Sequence, residues 1–133
     1  YTSQYTLSLH DALPIYFPEA ARSLAMEGAD VIAHPSNLVL PHCPDSMPVR
    51  ARENHVFTIT ANRYGKETKK DEELSFIGMS EICDPAGKIL RRAKRTGDEV
   101  GVVRFDPHAS RARRINEHND IFADRRPDTY VYE

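Results

Sequence analysis

Along the chain, hydrophobic and polar positions fall into short blocks that alternate between helical and extended patterns. Pro18 stands where a first helical turn tolerates it, the run AARSLAME supplies helix formers, and Gly28 suits a C-terminal cap, which predicts a helix over 18–27. Asp30 leads into VIAH, a short apolar run of the buried-strand kind, which Pro35 is expected to halt. Residues 36–44 carry two prolines among mixed apolar side chains and read as an ordered loop. SMPVRAREN at 46–54 has helix-forming composition with Pro48 near its start, and VFTITAN at 56–62 is a strand.

The second half is strand-rich. Residues 63–73 include Lys66, Glu67, Lys69, Lys70, Asp71, Glu72 and Glu73, a charge run that reads as a solvated loop. FIGMSEIC and KILRRAK flank Asp84-Pro85-Ala86-Gly87, where proline presets φ and glycine tolerates the left-handed region, so a hairpin is predicted. Thr96-Gly97-Asp98 makes a second turn into EVGVVRFD, giving three antiparallel strands in succession. A helix is predicted over 107–115 and an extended tail from Asn116.

Composition changes this picture little. With 133 residues, 40% hydrophobic and 29% charged, the chain has the make-up of one soluble globular domain. A formal charge of −2 gives no global attraction to nucleic acid or anionic membrane. Cys43 and Cys83 lie far apart and outside Cys-x-x-Cys spacing, so neither a disulfide framework nor a metal site is indicated, and a reducing cytoplasm is the expected location.

The opening YTSQYTLSLHDALPI has weak periodicity and joins the next segment without a linker. Codons for Thr6 to Ile15 reproduce one reading frame of a common DNA-sequencing adapter, and Tyr1 to Tyr5 fit that frame upstream. Residues 1–15 are therefore expected to be adapter-derived, and 16–133 to hold the genuine fold. His10 and Asp11 then carry no chemistry, although they look like a His/Asp dyad.

From Tyr16 onward, the segments YFPEAARSLAMEGADVIAHPSNLV, MPVRARENHVFTITANRYG, FIGMSEICDPAGKIL and NDIFADRRPDTY, in that order, resemble the nitrilase, or carbon–nitrogen hydrolase, superfamily. The resemblance implies an α/β fold, here the C-terminal portion of an α-β-β-α sandwich. It also implies hydrolysis of nonpeptide C–N bonds by a glutamate base, an oxyanion-holding lysine and a cysteine nucleophile that forms a thioester. In the family the cysteine sits on a strand just before a stretch like Phe17-Pro18-Glu19, where this chain has Leu13-Pro14-Ile15; the glutamate and lysine lie further upstream. The chain is thus expected to be an inactive, truncated domain with no catalytic residue of its own. By the same resemblance no metal or organic cofactor is required, the intact enzyme takes a small amide, nitrile or carbamoyl substrate, and it forms a homodimer or larger assembly. An acyl-transferring relative and a catalytically dead interaction protein are the competing readings.

The remaining candidates are read conservatively. By resemblance, the loop carrying Pro35, Ser36 and Asn37 borders the substrate pocket, and Asn62 ends the next strand. Asn37 and Asn62 each keep two readings, substrate contact or local bonding that shapes the backbone. Cys43 follows His42, yet neighbours in an extended loop point apart, so partial burial is expected rather than catalysis. Cys83 reads as a packed strand residue, Arg50 and Glu53 as a helix pair one turn apart, and the arginines near 91–95 and 111–114 as a solvated face. Arg125-Arg126-Pro127 reads as a subunit or domain clamp.

Overall fold

The computed structural model describes residues 13–69 and 72–131. A single turn, α1 (Leu13–Tyr16), precedes α2 (Pro18–Met26), where Phe17 is extended and Pro18 occupies the first turn with Glu19 beside it, favourable at the positive end of the helix dipole. Gly28 ends α2 at φ +94°, its N–H donating to Ala25 and that of Ala29 to Leu24, which satisfies the last carbonyls. The predicted helix and its stop signal are both found. Ala21 and Ala25, one turn apart, are fully buried, so the small side chains bring this helix close to the core.

Strand β1 (Val31–Ser36) runs parallel to β2 (Phe57–Asn62), with α3 (His42–Asn54) making the crossover that a parallel pair requires. β3 (Tyr64–Lys69) and β4 (Glu72–Ile77) form a separate two-stranded ribbon. β5 (Glu81–Cys83) then pairs antiparallel with β2, and β6 (Ile89–Arg92) with β5, so the sheet order is β1-β2-β5-β6. The helices cover one face, where Ile15, Ala21, Ala25, Ile32, Leu38, Cys43, Met47 and Val56 form the core. The chain is thus α/β. Ile15 lies at the end of the stretch read as adapter, and whatever its origin its side chain fills this core.

Several expectations change. Pro35 does not halt β1, which continues to Ser36, because among the described residues β1 is an edge strand where a missing N–H costs no ladder bond. α3 starts at His42 rather than 46. Pro44 sits in its first turn, and the carbonyl that Pro48 leaves without a helical donor, that of Pro44, accepts instead from Arg92 Nη2 at 3.2 Å. The expected loop at 63–73 is, where described, the β3–β4 ribbon, in which Lys66, Glu67 and Glu73 face water and Lys66 pairs across the strands with Glu73 at 2.7 Å, while Lys70 and Asp71 lie outside the described residues. FIGMSEIC is two strands, broken where Gly78 and Met79 take positive φ. EVGVVRFD joins no ladder among the described residues. The helix expected at 107–115 is a short 3-10 turn, Pro107–Arg111, capped by the Asp106 carboxylate.

The tail from Asn116 is folded back rather than simply extended. Arg114 bridges to Asp120, and Phe122 packs against the core between the guanidinium groups of Arg22 and Arg113. Arg111 holds both oxygens of the buried Asp30, keeping that carboxyl below its ordinary range, with Ser110 donating a further bond.

A polar row crosses the helix-covered face of the sheet. The register aligns His34 with Thr60, Thr60 with Glu81 and Glu81 with Arg92, and the first three are buried. His34 Nδ1 lies 3.3 Å from Thr60 Oγ1, while its Nε2 is buried without a partner. Burial holds the His34 imidazole below its ordinary value of 6.5. The unfolded chain therefore takes up this proton first, so stability falls as pH drops through 6.5. The urea midpoint is expected to fall between about pH 7.5 and about pH 5.5, and His34→Gln to flatten that dependence. An unchanged slope in the variant would remove His34 as the cause.

Candidate functional site

The carboxyl ends of the two parallel strands bring the predicted site residues together. β1 delivers Pro35, exposed, and Ser36, whose hydroxyl is buried without a partner; Asn37 follows, exposed at the rim of a cleft. β2 ends at Asn62. Its Oδ1 accepts from Leu38 N–H at 2.7 Å and its Nδ2 donates to Gly78 O at 2.7 Å. Ser80 Oγ accepts from Asn62 N–H and donates to Asn62 O, completing the clasp. The Asn62 amide is thus committed to main chain at both ends. It ties the loop after β1 to the Gly78–Ser80 bend.

Gly78 and Ser80 were not anticipated as part of this arrangement. The available signal was the glycine itself, since an isolated glycine in a strand pattern marks a bulge or a close backbone approach. Gly78 does both, turning at φ +62° with the Arg95 carbonyl against the position a Cβ would take. Asn62→Ala removes two bonds at once, and about 1–3 kcal/mol of local stability is expected to go with them. Faster hydrogen exchange at the Leu38 amide is the readout, and unchanged exchange there would show that the clasp does not hold this loop.

The cleft itself measures about 770 Å³ and lies between Ile15, Tyr16 and Phe17 on one side and Asn37–Leu40 on the other, with His42, Cys43, Ser46 and Arg50 of α3 as its floor. Its lining is largely apolar, with polarity concentrated at Arg50, which donates to Glu53 at 3.0 Å and to Tyr16 O at 3.3 Å. The Arg50 Nε is buried without a partner. The pairing of Arg50 with Glu53 one helical turn apart is as predicted.

Cys43 reaches this cleft but is buried, and burial pushes its thiol up to about 11, with the Glu81 charge acting in the same direction. His42 is its sequence neighbour, yet the imidazole packs edge-on against Tyr16, ring centroids 4.9 Å apart. Cys83 is fully buried on β5, its thiol likewise pushed up to about 11 by burial. Nucleophilic attack needs thiolate, and at pH 7 a thiol of that pKa is ionised in only about one molecule in ten thousand. Among the described residues no cluster of His, Cys, Asp and Glu is arranged to hold a metal ion. Among the described residues, neither thiol is activated.

An α/β sheet with a cleft at the carboxyl ends of its parallel strands is the setting in which small-molecule enzymes bind their substrates. The carbon-nitrogen hydrolase family model matches residues 13–115, and the chain belongs to that family. It is 52% identical over 115 residues to a nitrilase of Pyrococcus abyssi, covering 86% of this chain and 42% of that protein. With an N-carbamoylputrescine amidase of Arabidopsis thaliana it shares 31% identity over 129 residues, again 86% of this chain and 42% of the other. A solved structure of a mutant of the amidase from Nesterenkonia sp. AN1, with the acetamide moiety of fluoroacetamide covalently added at its active site cysteine, superposes with a TM-score of 0.59 at 33% identity, covering 67% of this chain and 34% of that one. The chain therefore spans less than half the length of the relatives it matches.

Proposed function

We propose that this chain supplies the carboxyl-terminal part of an amidase-type hydrolase, which cleaves a nonpeptide C–N bond of a small amide, nitrile or N-carbamoyl compound through a cysteine thioester, and that the chain as written is inactive. The observation that carries the reading is the 52% identity to a nitrilase over most of this chain and only 42% of that enzyme, joined to two cysteines that are both buried and un-ionised. In this reading the cleft beside Pro35, Ser36 and Asn37 is one wall of the substrate pocket. Asn37, exposed at the rim, reaches substrate, whereas Asn62 shapes the wall through its clasp.

No cofactor enters the proposed reaction. The intact enzyme works as a homodimer or larger assembly in a reducing cytoplasm; exposed Tyr16, Phe17, Met26 and Val49 on neighbouring elements supply the apolar surface for assembly, and both cysteines are free thiols. Residues 1–15 are adapter-derived, and sequencing the source DNA across the codon of Tyr16 tests that part. The functional reading is tested by a chimera in which the upstream portion of the Pyrococcus nitrilase, through its own cysteine-bearing stretch, replaces residues 1–15 and is fused directly to Tyr16. Ammonia release from a simple amide or nitrile is expected. A folded chimera that binds such compounds without turning them over would favour a scaffold that only binds.

A further inference from the structure

The lining of the cleft combines open apolar surface with polar groups that are already engaged. Val39 and Leu40 stand on one side and Tyr16 and Phe17 on the other, all four exposed. None of them precedes Tyr16, so the apolar character does not depend on residues 1–15. Among the described residues that line the cleft, Arg50 is the only lysine or arginine and no acidic side chain joins it. Its guanidinium is committed to the Glu53 carboxylate at 3.0 Å and to the Tyr16 carbonyl at 3.3 Å. Ser46 Oγ donates to the His42 carbonyl, and the His42 ring packs on Tyr16. Asn37 differs, because it is exposed at the rim and its carboxamide makes no hydrogen bond among the described residues.

We propose that this wall selects amides or nitriles whose body is an uncharged hydrocarbon chain, Asn37 bonding the polar end while Val39, Leu40, Tyr16 and Phe17 flank the chain. The identity of the polar end rests on the functional reading above, which the proposal narrows. An ionised group taken out of water is strongly disfavoured unless a partner compensates it. The wall offers none, since Glu53 already balances Arg50 and neither a free cation nor a free carboxylate lines the cleft among the described residues. A compound with an ammonium or a carboxylate at its far end therefore loses by entering, whatever its reacting group. A neutral chain gains, by roughly fourfold in affinity for each methylene fully removed from water. The Asn37 carboxamide, with a donor and an acceptor side by side, matches a primary amide reciprocally and supplies a donor to a nitrile nitrogen.

The test titrates pentanamide, ω-aminopentanamide and glutaramate into the full chain at neutral pH and follows backbone amide shifts. The three share one chain length and differ in whether the far end is neutral, cationic or anionic. Saturable shifts at Asn37, Val39 and Leu40 are expected with pentanamide, tightening severalfold for each methylene from acetamide upward, and the two charged compounds should bind at least about tenfold more weakly. Val39→Glu places a carboxylate in the wall and should reverse the order in favour of ω-aminopentanamide, whereas Val39→Ile should preserve it. Thr58 and Ile59 amides report whether the sheet is intact in each variant, and Leu40→Asp supplies the same reversal if Val39→Glu disturbs them. Equal binding of the three compounds, or no saturable shift with pentanamide, overturns the proposal. Shifts at residues 37–40 that follow the concentration of the chain and resist pentanamide also overturn it, in favour of a second copy over this wall. Selective binding of pentanamide beside a folded chimera without turnover leaves the ligand class standing and counts against the hydrolase reading, while an active chimera that prefers ω-aminopentanamide or glutaramate does the reverse.

Discussion

Expressed as it stands, the chain is expected to release no ammonia above the buffer rate from simple amides, nitriles or N-carbamoyl compounds. Cleavage of such bonds by the covalent route requires a thiolate to attack the carbon, a base to move protons, and fixed donors for the tetrahedral oxyanion. Only two cysteines exist in the sequence, and burial keeps both protonated, one against the cleft and one beneath the helices. Loss of the nucleophile alone costs on the order of a millionfold in kcat in a well-studied hydrolase, so the expected rate lies below detection. A coupled ammonia assay decides it. Saturable release that disappears in Cys43→Ala would mean that this thiol is activated after all.

Arg92→Met is expected to destabilise β5 and β6 by about 3–5 kcal/mol, the cost of leaving a buried charge without its partner. Glu81 has no exposed side-chain surface, and Arg92 lies 2.7 Å from its Oε2. Burial pushes the Glu81 carboxyl up, and the Arg92 bonds pull it back only in part. The same guanidinium donates to the Pro44 carbonyl, the acceptor that Pro48 cannot serve. Replacing the pair together, as Glu81→Leu with Arg92→Met, removes the stranded charge but still leaves Pro44 without its donor, so recovery should stop about 1–3 kcal/mol short. Native-state hydrogen exchange at β5 amides measures both variants. A single variant within about 1 kcal/mol of the parent would mean the pair holds nothing together.

What was legible in the sequence follows from which interactions are local. Pro18 and Gly28 bracket α2 through backbone geometry alone, and the apolar runs of β1 and β2 need only a buried sheet to explain them. The early start of α3 was hidden because Pro41 and Pro44 read as a loop and Pro48 as the start of the helix. The donor that completes the Pro44 turn comes from a residue 48 positions away. The β3–β4 ribbon was hidden because both its faces are largely solvated, which leaves a run of charges and no alternating apolar signal. At 99–106 the alternation was readable but the ladder was not, since a ladder depends on a partner.

The candidate site divides in the same way. Family resemblance set Pro35, Ser36 and Asn37 beside the substrate pocket and Asn62 was read at the end of the next strand; the structure brings all four to one end of the sheet. The task of Asn62 depends on Leu38 and Gly78, 24 and 16 positions distant, so no local pattern could distinguish contact with a ligand from a clasp on the backbone. Family membership rested on several ordered segments, whereas the state of Cys43 rested on packing that only the folded chain defines.

Alkylation of the two thiols in the native chain, followed by mass spectrometry as a function of pH, probes most directly whether any sulfur here is poised to capture an acyl group. Slow labelling at neutral pH, climbing toward pH 11 for Cys43 and Cys83 alike, is the expected profile. Rapid labelling of Cys43 near pH 7, blocked by a small amide, would contradict it.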